Sequence, residues 1–125
     1  MTLLTVAFPI LPGRTDQWRR FVAEINGPRR ADYEAWAHRF DARWQLFLQQ
    51  TPQGDLVLVT AEGANPAQSF QRIGADTDAF TEWFVHQVLD IHGVDFRQPP
   101  PGPLPELVLD SQAQPEQQPA AAVRA

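Results

Sequence analysis

The chain has 125 residues, 43% of them hydrophobic and 20% charged, with 12 prolines, no cysteine and a formal net charge of -5. The missing cysteine excludes a disulfide framework, a thiolate metal site, an iron–sulfur cluster and a cysteine nucleophile. All 10 basic residues are arginine, which removes Schiff-base chemistry and a phosphate-loop lysine, and the acidic balance opposes attraction to nucleic acid or an anionic membrane.

The opening residues carry no basic leader. Their apolar run is too short and too interrupted by proline for a signal peptide or a membrane span, so a cytoplasmic location is expected. Residues 3–8 read as a first strand, stopped by Pro9 and the Pro12-Gly13 turn signal. Thr15 can cap a helix with Asp16 in its first turn, and Trp18, Phe21, Val22 and Ile25 recur at helical spacing. After Asn26-Gly27, Pro28 suits the first position of a second helix reaching Phe40, with Tyr33, Trp36, Ala37 and Phe40 as its apolar stripe.

From Arg43 to Gln49 the period changes to two: Trp44, Leu46 and Leu48 share one face, Arg43, Gln45, Phe47 and Gln49 the other. Residues 51–54 make a hairpin connection to an interior strand over 56–60, which should pair antiparallel with its predecessor. Asn65-Pro66 opens a short helix carrying Phe70 and Ile73 and closed by Gly74. A longer helix starts at Asp76 or Thr77 and ends at Gly93, with Phe80, Phe84, Val88 and Ile91 toward the core and Trp83 beside them.

Residues 98–105 hold five prolines and must be an extended, polyproline-like arm. Residues 106–110 read as a last short strand, and the Gln/Pro/Ala-rich tail over 111–125 as disordered. The expectation is one α+β domain over residues 1–110: a ferredoxin-like split βαβ arrangement with a four-stranded antiparallel sheet and helices on one face. The bare sheet face would expose apolar side chains, so a homodimer packed sheet to sheet is expected.

The element order and the passages WQLFLQQTPQGD at 44–55 and HGVDFRQPPPGPLP at 92–105 resemble a family of small uncharacterised bacterial proteins. That family is similar to the dimeric α+β barrel superfamily, which includes antibiotic-biosynthesis monooxygenases and related cofactor-free or haem-handling enzymes. The resemblance covers roughly residues 3 to 110. It implies a dimeric α+β barrel with a pocket between each sheet and its helices. It brings no established activity.

Among candidate functional residues, His86 has Glu82 and Asp90 one turn to either side, and His38 follows Glu34 by one turn. Each can be an acid/base dyad or a solvated charge ladder, and the ladder is the commoner arrangement. His92 precedes the helix-ending glycine, where it can donate to free carbonyls or line a pocket. No histidine pair has zinc spacing with a third ligand, so no metal site is expected.

Arg29 falls on the apolar stripe of its helix and needs a partner there: an acidic side chain, an aromatic face or a bound anion. Arg43 is a second candidate, depending on which strand face meets the helices. Four tryptophans, Trp18, Trp36, Trp44 and Trp83, suit either core packing or a flat wall for a conjugated ligand.

The ligand-binding candidates are therefore Arg29, Trp36, Arg43, Trp44, Trp83 and His92, around a small apolar or aromatic ligand, with no cofactor required by the sequence. The activity, if any, would be that of a cofactor-free oxygenase or isomerase. A non-catalytic dimeric interaction module, using the proline arm as contact, is the alternative; the competing reading of the arm is an intramolecular or intersubunit clasp. Haem binding is a weaker alternative.

Overall fold

The computed structural model describes residues 2–100 and 102–112. In chain order the elements are β1 (Thr2–Pro9), α1 (Thr15–Asn26), α2 (Arg30–Arg39), β2 (Ala42–Thr51), β3 (Gly54–Gly63), α3 (Pro66–Ala75) and α4 (Ala79–His92). These four helices join one open, antiparallel, three-stranded sheet ordered β1-β3-β2.

Strand alternation gives the sheet two unlike faces. Val57, Val59 and Ala61 of the central strand are buried. Their cross-strand partners are Phe8, Val6 and Leu4 on β1 and Leu48, Leu46 and Trp44 on β2. This inner face packs against Trp18, Phe21, Ile25 and Ile91 from the helices. The outer face carries the rows Leu3/Glu62/Arg43, Thr5/Thr60/Gln45 and Ala7/Leu58/Phe47, and Phe47 remains 51% exposed.

The expected helix faces hold in detail for α1, which buries Trp18, Phe21 and Ile25. Its start differs. Thr15 is the first helical residue and not the cap, because its hydroxyl donates to Asp55 Oδ2 at 2.5 Å across the fold. The second helix starts at Arg30 because residues 27–29 form a turn, with the Arg29 and Arg30 amides bonded to the Glu24 and Gly27 carbonyls. Asp78 caps α4, its carboxylate accepting from the Phe80 amide, and Gly93 ends that helix at φ 70°.

The expected strand over 106–110 is absent: residues 103–110 have no regular structure and leave Leu107, Val108 and Leu109 exposed. A strand exists only through its ladder. Both outer edges of the sheet lack a partner among the described residues. The disorder expected for the tail falls largely on residues 113–125, which lie outside the described residues.

Segment 94–98 closes the helical side. It crosses the end of α3 so closely that a Cβ at Gly74 would collide with the Phe96 carbonyl. Arg97 then donates to the carbonyls of Gly74 and Asp76 and pairs with Glu82. A guanidinium with several fixed donors is suited to gathering the free carbonyls of a helix end.

Candidate functional site

A cavity of about 320 Å³ lies between the inner sheet face and the helices. That volume is within the range of small-molecule sites. Phe8, Trp44, Leu46, Val57 and Val59 form its sheet wall, while Trp18 and Phe21 of α1, Tyr33 and Trp36 of α2, Phe70 of α3 and Phe84 of α4 form the opposite side. The same inward alternation that builds the core therefore builds the site.

Aromatic contacts make this wall continuous. Trp36 lies 4.8 Å from Phe84, 5.2 Å from Phe40 and 6.2 Å from Trp44 between ring centroids, and Trp44 meets Phe70 edge-on at 5.1 Å. Such tilted and edge-on pairs are the favoured geometries for rings, and they stiffen a wall beyond simple burial.

Polar residues are few among the described residues lining the cavity: Asn26, Arg30, Tyr33 and His92, besides the tryptophans. Arg30 is engaged with Glu34 at 2.7 Å and Asn26 at 3.1 Å. Burial pushes the Tyr33 phenol above its ordinary value, against the opposing charge of Arg30, so it stays a neutral hydroxyl. Trp36 Nε1 donates to Thr81 Oγ1 at 2.8 Å. By contrast, Trp18 Nε1 and Trp44 Nε1 are buried with no partner among the described residues.

His92 is 8% exposed and lies on the cavity wall beside Phe8, ring centroids 5.6 Å apart. Its Nδ1 is 2.8 Å from the Pro9 carbonyl. A carbonyl only accepts, so Nδ1 carries the proton and Nε2 the free lone pair. Burial pushes this imidazole below its ordinary value, partly offset by the bond to Pro9, and keeps it neutral at neutral pH. The expected donation to helix-end carbonyls is thus replaced by a bond across to β1. The Leu11 amide bonded to the Ile91 carbonyl brings that strand end close enough.

Of the six ligand candidates from sequence, Trp36, Trp44 and His92 come together at the cavity. The other three do not line it. Arg29 pairs with Glu24 at 3.0 Å and stacks 4.0 Å from the Trp83 ring centroid, so each supplies the other's partner. Arg43 sits on the outer sheet face, in register with Glu62, because Trp44 takes the inner one. Among residues not singled out as ligand contacts, Tyr33 shows in sequence only the helical periodicity of ordinary core, and Trp18 reads equally as core or as ligand wall. That signal cannot separate a cavity wall from a filled core.

The histidine dyads do not form. His86 is exposed while its neighbours turn elsewhere, Glu82 to Arg97 and Asp90 to Arg14 and Gln17. His38 is exposed and Glu34 is taken by Arg30. Among the described residues no group of three or more His, Cys, Asp or Glu is placed to hold a metal ion, and no helix is long and apolar enough to cross a membrane.

Comparison of the chain with protein-family models, with curated proteins and with solved structures finds no match.

Proposed function

We propose that this chain binds a small, flat, largely aromatic molecule in the cavity between its sheet and helices. The observation that carries the reading is the unfilled volume of about 320 Å³ within an aromatic wall. The cavity opens to solvent on one side, so its aromatic wall presents apolar surface to water that a flat apolar ligand would cover. The wall also holds two buried indole N–H groups without acceptors, on Trp18 and Trp44. This volume favours a molecule of one or two rings over a haem-sized macrocycle. A cofactor-free oxygenase or isomerase is the enzyme class compatible with such a site.

Titration with 2-naphthol tests this, read by tryptophan fluorescence and calorimetry. One site per chain is expected. Val88→Phe, which places a ring in the cavity, should abolish binding while the folding transition persists. Binding unchanged by that substitution would show that the ligand sits elsewhere.

The same reading includes a homodimer and a dimeric α+β barrel. Support comes from the outer sheet face, where Ala7, Leu58 and the exposed Phe47 make an apolar row. Phe47→Glu should then convert a dimer to a monomer in light scattering; a wild-type monomer at all accessible concentrations would end the idea. A second reading, an interaction module, is favoured by the apolar arm residues Leu107, Val108 and Leu109, which are exposed in the single chain. In the ferredoxin-like arrangement this arm becomes the fourth strand. Deleting residues 98–110 separates the two roles: loss of the dimer supports a clasp, and an intact dimer supports a contact arm.

A further inference from the structure

We propose that His92 is the cavity's proton acceptor, and that the ligand accordingly carries a phenolic or enolic hydroxyl. This deepens the proposed function and rests on the cavity being a ligand site.

Three observations carry the assignment. First, among the described residues the cavity lining contains no carboxylate; its ionisable groups are Arg30, Tyr33 and His92. Arginine stays protonated, and the phenol of Tyr33 is held neutral. The imidazole is therefore the only lining group that can take up a proton near neutrality.

Second, the tautomer is fixed by geometry. Nδ1–H is committed to the Pro9 carbonyl at 2.8 Å, and Nε2 has no hydrogen-bond partner among the described residues. A backbone carbonyl holding one nitrogen while the other faces reaction chemistry is how an imidazole is oriented as a base.

Third, the fold offsets part of the burial that disfavours a charged imidazole. His92 is the last residue of the 14-residue helix α4, where the negative end of the helix favours a cation. The Pro9 carbonyl stays bonded to Nδ1–H after protonation.

The step is a proton transfer without redox change. The ligand O–H bond breaks, its electron pair stays on oxygen, and a new N–H bond forms at Nε2. An oxyanion and an imidazolium result. The oxyanion and the imidazolium N–H at Nε2 then remain as a charge-assisted hydrogen-bonded pair.

The test uses 4-nitrophenol, whose phenolate and phenol differ in visible absorption, with binding measured separately by calorimetry. Burial in an apolar cavity alone would favour the neutral phenol. We expect the opposite for the wild-type chain at neutral pH: a phenolate-to-phenol ratio about tenfold above that of the free probe, equivalent to one pKa unit. His92→Gln keeps an amide donor for the Pro9 carbonyl but is no base; it should bind the probe and return the ratio to the free value or below. His92→Phe, which keeps a ring against Phe8, provides the same readout if the glutamine variant fails to fold.

Binding with no rise in ionisation, or an equal rise in a folded His92 variant, overturns the assignment and leaves the cavity reading standing. Failure of the wild-type chain to bind the probe overturns both.

Discussion

Trp36 Nε1 donates to Thr81 Oγ1 at 2.8 Å, and the Thr81 hydroxyl in turn donates to Asp76 Oδ2. Asp76 is gripped by both Arg39 nitrogens at 2.9 Å. The cavity's aromatic wall is therefore tied through one buried hydroxyl to an ion pair at the surface. Thr81 is a polar residue with no exposure in a helix whose other buried side chains, His92 apart, are apolar, and this relay accounts for its place.

Replacing Thr81 with valine keeps its shape but leaves the buried Trp36 N–H without an acceptor. Chemical denaturation should show a loss of about 1–3 kcal/mol. Thr81→Ser, which keeps the hydroxyl, should lose less. Equal losses would mean that the methyl group, and not the relay, matters.

Acid should weaken the fold through Asp76. Hydrogen bonds from Arg39 above all, then from Thr81, hold its carboxyl at about 2 against the opposing effect of burial, from an ordinary value of 3.8. The unfolded chain thus binds the proton first as pH falls. The stabilisation is present above about pH 4 and drains away between there and about pH 2. Denaturation across that window should be steeper for the wild-type chain than for Asp76→Asn.

The three cavity tryptophans should respond unequally to phenylalanine. Trp36→Phe removes a satisfied hydrogen bond, whereas Trp18→Phe and Trp44→Phe remove donors that have no partner. Relative to Trp36→Phe, the other two should retain about 1–3 kcal/mol more stability in the ligand-free protein. Thermal or urea unfolding of the three variants side by side measures this.

Gly74→Ala should loosen the cavity without replacing any residue of its lining, by displacing Phe96, which is part of that lining. The added methyl group meets the Phe96 carbonyl, so segment 94–98 must move. That carries away the Phe96 ring, stacked 6.2 Å from Phe84, and strains the Arg97 bonds to the end of α3. A cost of about 1–3 kcal/mol is expected, with weaker 2-naphthol binding. Unchanged unfolding would show that the segment gives way freely.

Much of the architecture was legible in the residues, because periodicity reports which side of an element is apolar. Trp18, Phe21 and Ile25 announced their helix face, and Trp44, Leu46 and Leu48 announced a strand face. Exact ends were less legible. Pro28 suits a helix start by its fixed φ, but the amides of Arg29 and Arg30 form a turn to the preceding helix instead. The run at 106–110 has strand composition, yet a strand depends on a neighbour that local sequence does not supply.

The sequence by itself determined an α+β chain of alternating strands and paired helices, without cysteine or lysine, and with arginine, histidine and aromatic side chains as its candidate ligand contacts. Tertiary structure decided which of these meet. It sent Arg43 outward and Trp44 inward, matched Arg29 with Trp83, and turned His92 toward Pro9, 83 residues away in the chain. It also left a cavity where periodicity reads only as core. The physical reason is that periodicity encodes the direction of each side chain from its own backbone, while partners and voids are set by how separate elements fit together.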